Sequence, residues 1–79
     1  MYYVYILRSL TNPNKTYTGY TKDLKQRLAD HNYGESIYTA ERGPWRLEVY
    51  IAFQDEARAI AFEKYLKSGS GRVFSKKHL

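Results

Sequence analysis

Five side chains in this 79-residue chain could together cut a phosphodiester bond. Tyr5 lies in the run Tyr3-Val4-Tyr5-Ile6-Leu7, and Tyr17 opens Tyr17-Thr18-Gly19-Tyr20-Thr21. Arg27 and His31 share the charged stretch from Asp23 to His31, one helical turn apart, and Glu63 follows much later. Cleavage of a phosphodiester needs an activated water, positive charge for the phosphoryl oxygens and help for the leaving oxygen. One carboxylate can hold one divalent metal that keeps most of its waters, as Mg²⁺ prefers. An arginine braces a phosphate with its planar donor fork. A tyrosine can relay the water's proton if a nearby metal or cation draws its pKa well below ~10.

Each of these residues also has a plain structural role. Strand tyrosines pack well in an aromatic-rich core, and Arg27 and His31 could line a solvated helix face. Glu63 and Lys67 could form an exposed i, i+4 ion pair worth about 0.2–0.5 kcal/mol. Which role holds depends on the elements that carry them.

Tyr2–Arg8 is short, aromatic and β-branched, and reads as a strand. Asn12-Pro13-Asn14 marks a turn, and Thr16–Thr21 resumes strand character, which together predict a β-hairpin. Gly19 inside the second strand marks a bulge or a close approach by another group. Thr21 reads as a helix N-cap, with Asp23 in the first turn and Leu24 and Leu28 as an apolar stripe. Arg27 and His31 flank that stripe, so both are expected at the sheet margin rather than in open solvent.

Tyr33–Pro44 reads as a loop. Trp45, Leu47, Val49, Ile51 and Phe53 then alternate with Arg46, Glu48, Tyr50 and Ala52, the period of a third strand with one apolar face. Gln54–Lys67 reads as a second helix whose apolar arc holds Ala57, Ala59, Ala61, Phe62, Tyr65 and Leu66. Glu63 falls just beyond that arc, next to Ala59 and Leu66, where a side chain can look along the sheet. Ser68-Gly69-Ser70-Gly71 breaks the helix, and the basic tail Arg72–Leu79 is a short helix or an extended strap. The expectation is a single α+β domain over residues 1–79: a three-stranded antiparallel sheet flanked by helices in the order ββαβα.

Composition narrows the chemistry. Thirteen Lys and Arg against eight Asp and Glu give a formal charge of +5, which favours an anionic partner such as nucleic acid. Arg42, Arg46, Arg72, Lys76 and Lys77 are the candidate backbone contacts. The absence of cysteine excludes disulfides, thiolate catalysis and cysteine-rich zinc sites. His31 and His78 have no metal-site spacing, and neither a GxSxG motif nor a phosphate-cradling glycine loop occurs. The short apolar start ends at Arg8 and no apolar run could span a bilayer, so a cytoplasmic location and no membrane partner are expected.

These segments resemble the GIY-YIG nuclease domain, most closely its small stand-alone members. Tyr3-Val4-Tyr5 stands where that family has Gly-Ile-Tyr, and Tyr17-Thr18-Gly19 where it has Tyr-Ile-Gly. Arg27 falls ten residues after Tyr17, His31 follows one turn later, Gly43-Pro44-Trp45 precedes the third strand, and Glu63 matches the family's glutamate. Tyr3 replaces the family's first Gly and Thr18 its central Ile, and Phe62 stands where many relatives carry a basic residue.

The resemblance implies a metal-dependent DNA endonuclease acting in repair or on branched or single-stranded DNA. Tyr17 would be the general base or proton relay, with Tyr5 beside it positioning water or phosphate. Arg27 would stabilise the transition state, His31 would bond the phosphate or assist proton transfer, and Glu63 would bind one Mg²⁺ or Mn²⁺. DNA is the implied substrate, with RNA open and a protein partner as a possible source of substrate choice. Two other readings stay open: a non-catalytic nucleic-acid-binding module, and an interaction domain that keeps the motif residues as core.

Overall fold

Strand β1 (Tyr2–Ser9) buries Val4, Tyr5, Ile6 and Leu7 in succession, so it needs cover on both faces. In the computed structural model, which describes residues 1–33 and 43–79, it is the middle strand. Strands β2 (Thr16–Thr21) and β3 (Trp45–Phe53) pair antiparallel on either side of it. Tyr5 therefore stands between Gly19 on one neighbour and Tyr50 on the other.

The alternation in β3 predicts five apolar side chains on one face, and the register corrects this. Pairing steps from Ile6–Val49 to Leu7–Leu47, which leaves Glu48 as an extra residue. One extra residue turns every later side chain to the other face. Val49 and Phe53 accordingly pack with Val4 and Ile6, whereas Trp45 and Leu47 pack with Tyr5 and Leu7.

Helix α1 (Leu24–Asn32) covers the Tyr5 face through Leu24 and Leu28. Its N-cap is Asp23 rather than Thr21: the Asp23 carboxylate accepts from the Gln26 amide at 3.1 Å, while Thr21 Oγ1 accepts from the Asp23 amide one step earlier. The far end is pinned by Asn32, whose side-chain amide accepts from the Trp45 N–H at 2.7 Å and donates to the Trp45 carbonyl at 3.0 Å. That double bond between side chain and backbone ties α1 to the start of β3.

Helices α2 (Glu56–Lys67) and α3 (Gly69–His78) cover the opposite face. Asp55 caps α2, so the helix begins two residues after the expected Gln54. Ala59 and Leu66 are buried with Phe62 beside them, but Ala57, Ala61 and Tyr65 are exposed, contrary to the broad arc read from the sequence. The inward stripe is the narrower one running Ala59, Phe62, Leu66. Tyr65 packs its ring against Phe62 and Phe74 instead.

The expected break at Ser68–Gly71 is a helix junction. Ser68 ends α2 and also caps α3, its hydroxyl accepting from the Gly71 amide at 3.1 Å. The basic tail is thus a helix and not a strap. A Cβ at Gly71 would lie 2.6 Å from the Leu66 Cα, so only glycine lets α3 turn this closely over the end of α2. No described helix is long and apolar enough to cross a membrane.

Candidate active site

Tyr5, Tyr17 and His31 meet on the face covered by α1. Tyr5 Oη and His31 Nε2 are 2.8 Å apart, and each residue is only 1% exposed. The Tyr17 ring lies 4.8 Å from the His31 ring and 6.3 Å from that of Tyr5. Gly19 makes the room: a Cβ there would overlap the Tyr5 hydroxyl, come within 2.6 Å of Tyr5 Cζ and reach 3.0 Å from Tyr17 Cε1. The strand pairing runs unbroken through Gly19, so of the two readings of this glycine the close approach is the right one.

Arg27 completes the cluster from α1, half-buried, its charge and hydrogen bonding acting on both phenols. Burial pulls the guanidinium pKa down, yet its interactions with Tyr5 and Tyr17 outweigh this and leave it raised. Asp30, one turn on, sits 3.7 Å from the guanidinium. Burial pushes the Tyr5 phenol up to about 12, despite the opposing pull of Arg27. Tyr5 therefore keeps its proton at neutral pH and serves as a fixed hydrogen-bonding group. Tyr17, half-buried on an edge strand, is the phenol that reaches the surface.

Burial, reinforced by the Arg27 charge, lowers His31 below its usual 6.5. At neutral pH the ring is uncharged, with Nε2 committed to Tyr5. The unfolded chain takes up this proton more readily, so the contribution to stability is complete above about pH 6.5 and is lost as pH falls through the lower folded value. Thermal unfolding of the wild type between pH 7 and pH 5 should show that loss, and a His31→Gln variant a flatter profile.

Glu63 comes from α2, the helix that covers the other face of the sheet. Its side chain is 19% exposed, its Oε2 accepts from Lys67 Nζ at 3.0 Å, and its charge acts on the Tyr5 phenol. The position beyond the apolar edge is as the helix geometry requires. Among the described residues no group of three or more His, Asp or Glu converges, so a metal here would rest on one carboxylate. That donor set suits a hard cation which completes its shell with water, such as Mg²⁺ or Mn²⁺.

The expected backbone contacts divide. Arg72 and Lys76 line a groove of about 870 Å³ that also includes Tyr17 and opens between α3 and the sheet. Arg8 and Lys67, which motif spacing did not single out, line it too. Its one acid, Glu48, is held by Arg8 and by Arg46 at 3.2 Å; the Arg8 hydrogen bond keeps that carboxyl below its usual range. Arg46 is thus an exposed partner of Glu48, and Lys77 is exposed on α3 outside the groove lining. Arg42 lies outside the described residues. Arg8 could have been found from the strand period, which puts it on the α2 and α3 face with Val4 and Ile6.

The family model of the GIY-YIG catalytic domain matches residues 1–77. The chain belongs to the GIY-YIG family. A UPF0213 protein of Lacticaseibacillus paracasei is 42% identical over 67 residues, covering 84% of this chain and 73% of its own length. The structure-specific endonuclease subunit SLX1 of Malassezia globosa is 39% identical over 67 residues, covering 80% of this chain but 15% of that longer protein. The solution structure of a UPF0213 protein from Bacillus halodurans superposes with a TM-score of 0.57 at 37% identity, covering 96% of this chain and 81% of that one. It has the same α+β architecture, and GIY-YIG membership together with the SLX1 relative supports a nuclease acting on nucleic acid.

Proposed function

We propose that this chain is a metal-dependent DNA endonuclease, acting on branched or single-stranded DNA as in repair. The observation that carries the reading is the gathering of Tyr5, Tyr17, Arg27 and His31 from three elements, with the Glu63 charge reaching Tyr5. Tyr17 relays the proton of the attacking water, passing its own phenolic proton on to solvent, and Arg27 stands beside the negative charge that develops on the phosphoryl oxygens. Tyr5 and His31, locked to each other, hold Tyr17 and orient the phosphate. Glu63 would hold Mg²⁺ or Mn²⁺, which when bound supplies Lewis-acid stabilisation of the phosphoryl charge. The groove with Arg8, Lys67, Arg72 and Lys76 supports a path for the DNA backbone away from Tyr17.

The test is cleavage of branched, nicked, flapped and single-stranded DNA, and of RNA, with Mn²⁺. Glu63→Gln should lower the rate by at least about two orders of magnitude, the loss of several kcal/mol of charge stabilisation. Calorimetric titration of Mn²⁺ into metal-free wild type and Glu63→Gln reads the metal site separately. Salt-dependent binding with no products from any substrate would replace this reading with that of a non-catalytic binding module.

A further inference from the structure

Beside α1, a cleft of about 550 Å³ is lined by Tyr3, Tyr50, Leu28 and Leu47, with Lys25 and Lys22 among its lining residues, the Lys22 ammonium turned to Glu56 at 3.7 Å. Its one acid, Asp23, is already engaged as the cap of α1. Tyr3 and Tyr50 meet edge to face, 5.9 Å apart at 68°, and Tyr50 remains 51% exposed. Both lie on the sheet face that carries the phenolic cluster: Tyr50 pairs directly with Tyr5, and Tyr3 is two residues along the same strand, about 7 Å away. Core packing does not account for an edge-strand ring left half in water above a leucine floor.

We infer that this cleft holds an unpaired nucleobase near the scissile phosphate, stacked against Tyr50, with Lys25 on its backbone. The volume lies within the range of small-ligand sites, about 300–1,000 Å³. An aromatic platform with a cation beside it is the chemistry that binds single-stranded nucleic acid, each stacked base contributing through its π-face. A base inside a duplex is closed to such a platform unless it leaves the stack, so the cleft selects DNA that is unpaired next to the cut. The inference rests on the nucleic-acid reading above and adds which substrates are preferred.

The probe is a short oligonucleotide carrying one 2-aminopurine, single-stranded or annealed to its complement, titrated with the full chain in EDTA so that nothing is cut. Binding of the single strand should quench the 2-aminopurine. Tyr50→Ala should weaken single-strand affinity about 10- to 100-fold and leave duplex affinity unchanged. Tyr50→Trp, which keeps a stacking ring, should restore the quench. Equal weakening for both forms, no weakening for either, or Tyr50-dependent self-association in sedimentation overturns the cleft assignment. A wild type that cuts DNA but lacks the Tyr50-dependent preference overturns the cleft alone. One that neither binds nor cuts any oligonucleotide overturns the reading beneath it as well.

Discussion

Tyr17→Phe should slow DNA cleavage by about 10²–10⁴-fold, the usual contribution of a positioned proton acceptor. The substitution removes one oxygen and keeps the ring that packs 4.8 Å from His31 and against Tyr5. Phenylalanine suits a strand as well as tyrosine does. The thermal midpoint should therefore fall by no more than about 8 °C, the equivalent of one ordinary hydrogen bond in a domain of this size. Tyr5→Phe should behave differently. Its hydroxyl is buried on His31, so losing it should lower stability and activity together. Single-turnover cleavage with Mn²⁺ alongside thermal melts separates the two tyrosines. A Tyr17→Phe protein that cuts at the wild-type rate would remove Tyr17 from the proton transfer.

Gly71→Ala should be the most destabilising single methyl in the described chain. The added Cβ would meet the Tyr65 carbonyl group and come within 2.6 Å of the Leu66 Cα. These are backbone atoms of α2 and cannot rotate aside, so α3 itself must move. Overpacking of this kind costs about 1–3 kcal/mol, which predicts a midpoint lower by about 5–20 °C. Gly69→Ala is the control: nothing lies within 4 Å of its Cβ, and alanine favours a helix. It should leave the midpoint unchanged or raise it. Because α3 carries Arg72 and Lys76, Gly71→Ala should also weaken salt-dependent DNA binding, read by fluorescence anisotropy.

Much of this fold was legible in the residues. The aromatic and β-branched run Tyr2–Arg8 read as a strand, and the turn at Asn12-Pro13-Asn14 pointed to its hairpin partner. Placing Glu63 just beyond the apolar edge, next to Ala59 and Leu66 on a helical wheel, matches its partly covered position, since helix geometry fixes neighbours at that range. The bulge at Glu48 was not legible, because an alternation of apolar residues looks the same whether or not the partner strand skips one. Nor was the junction at Ser68, where a breaker in composition served as the cap of a second helix. The groove joins Arg8, Lys67 and Arg72 from separate elements, and only tertiary packing brings such residues together.

The bulge in β3 has a spectroscopic consequence. It places Trp45, the chain's one tryptophan, in the layer with Tyr5, Leu7 and α1, apart from the layer of Val4, Ile6, Ala59 and Leu66. Indole emission is therefore a local gauge of the half that holds the phenolic cluster. Loosening of α3 would pass largely unseen in fluorescence while registering in far-ultraviolet circular dichroism. Following both signals through one melt would show whether the two halves of the sheet give way together.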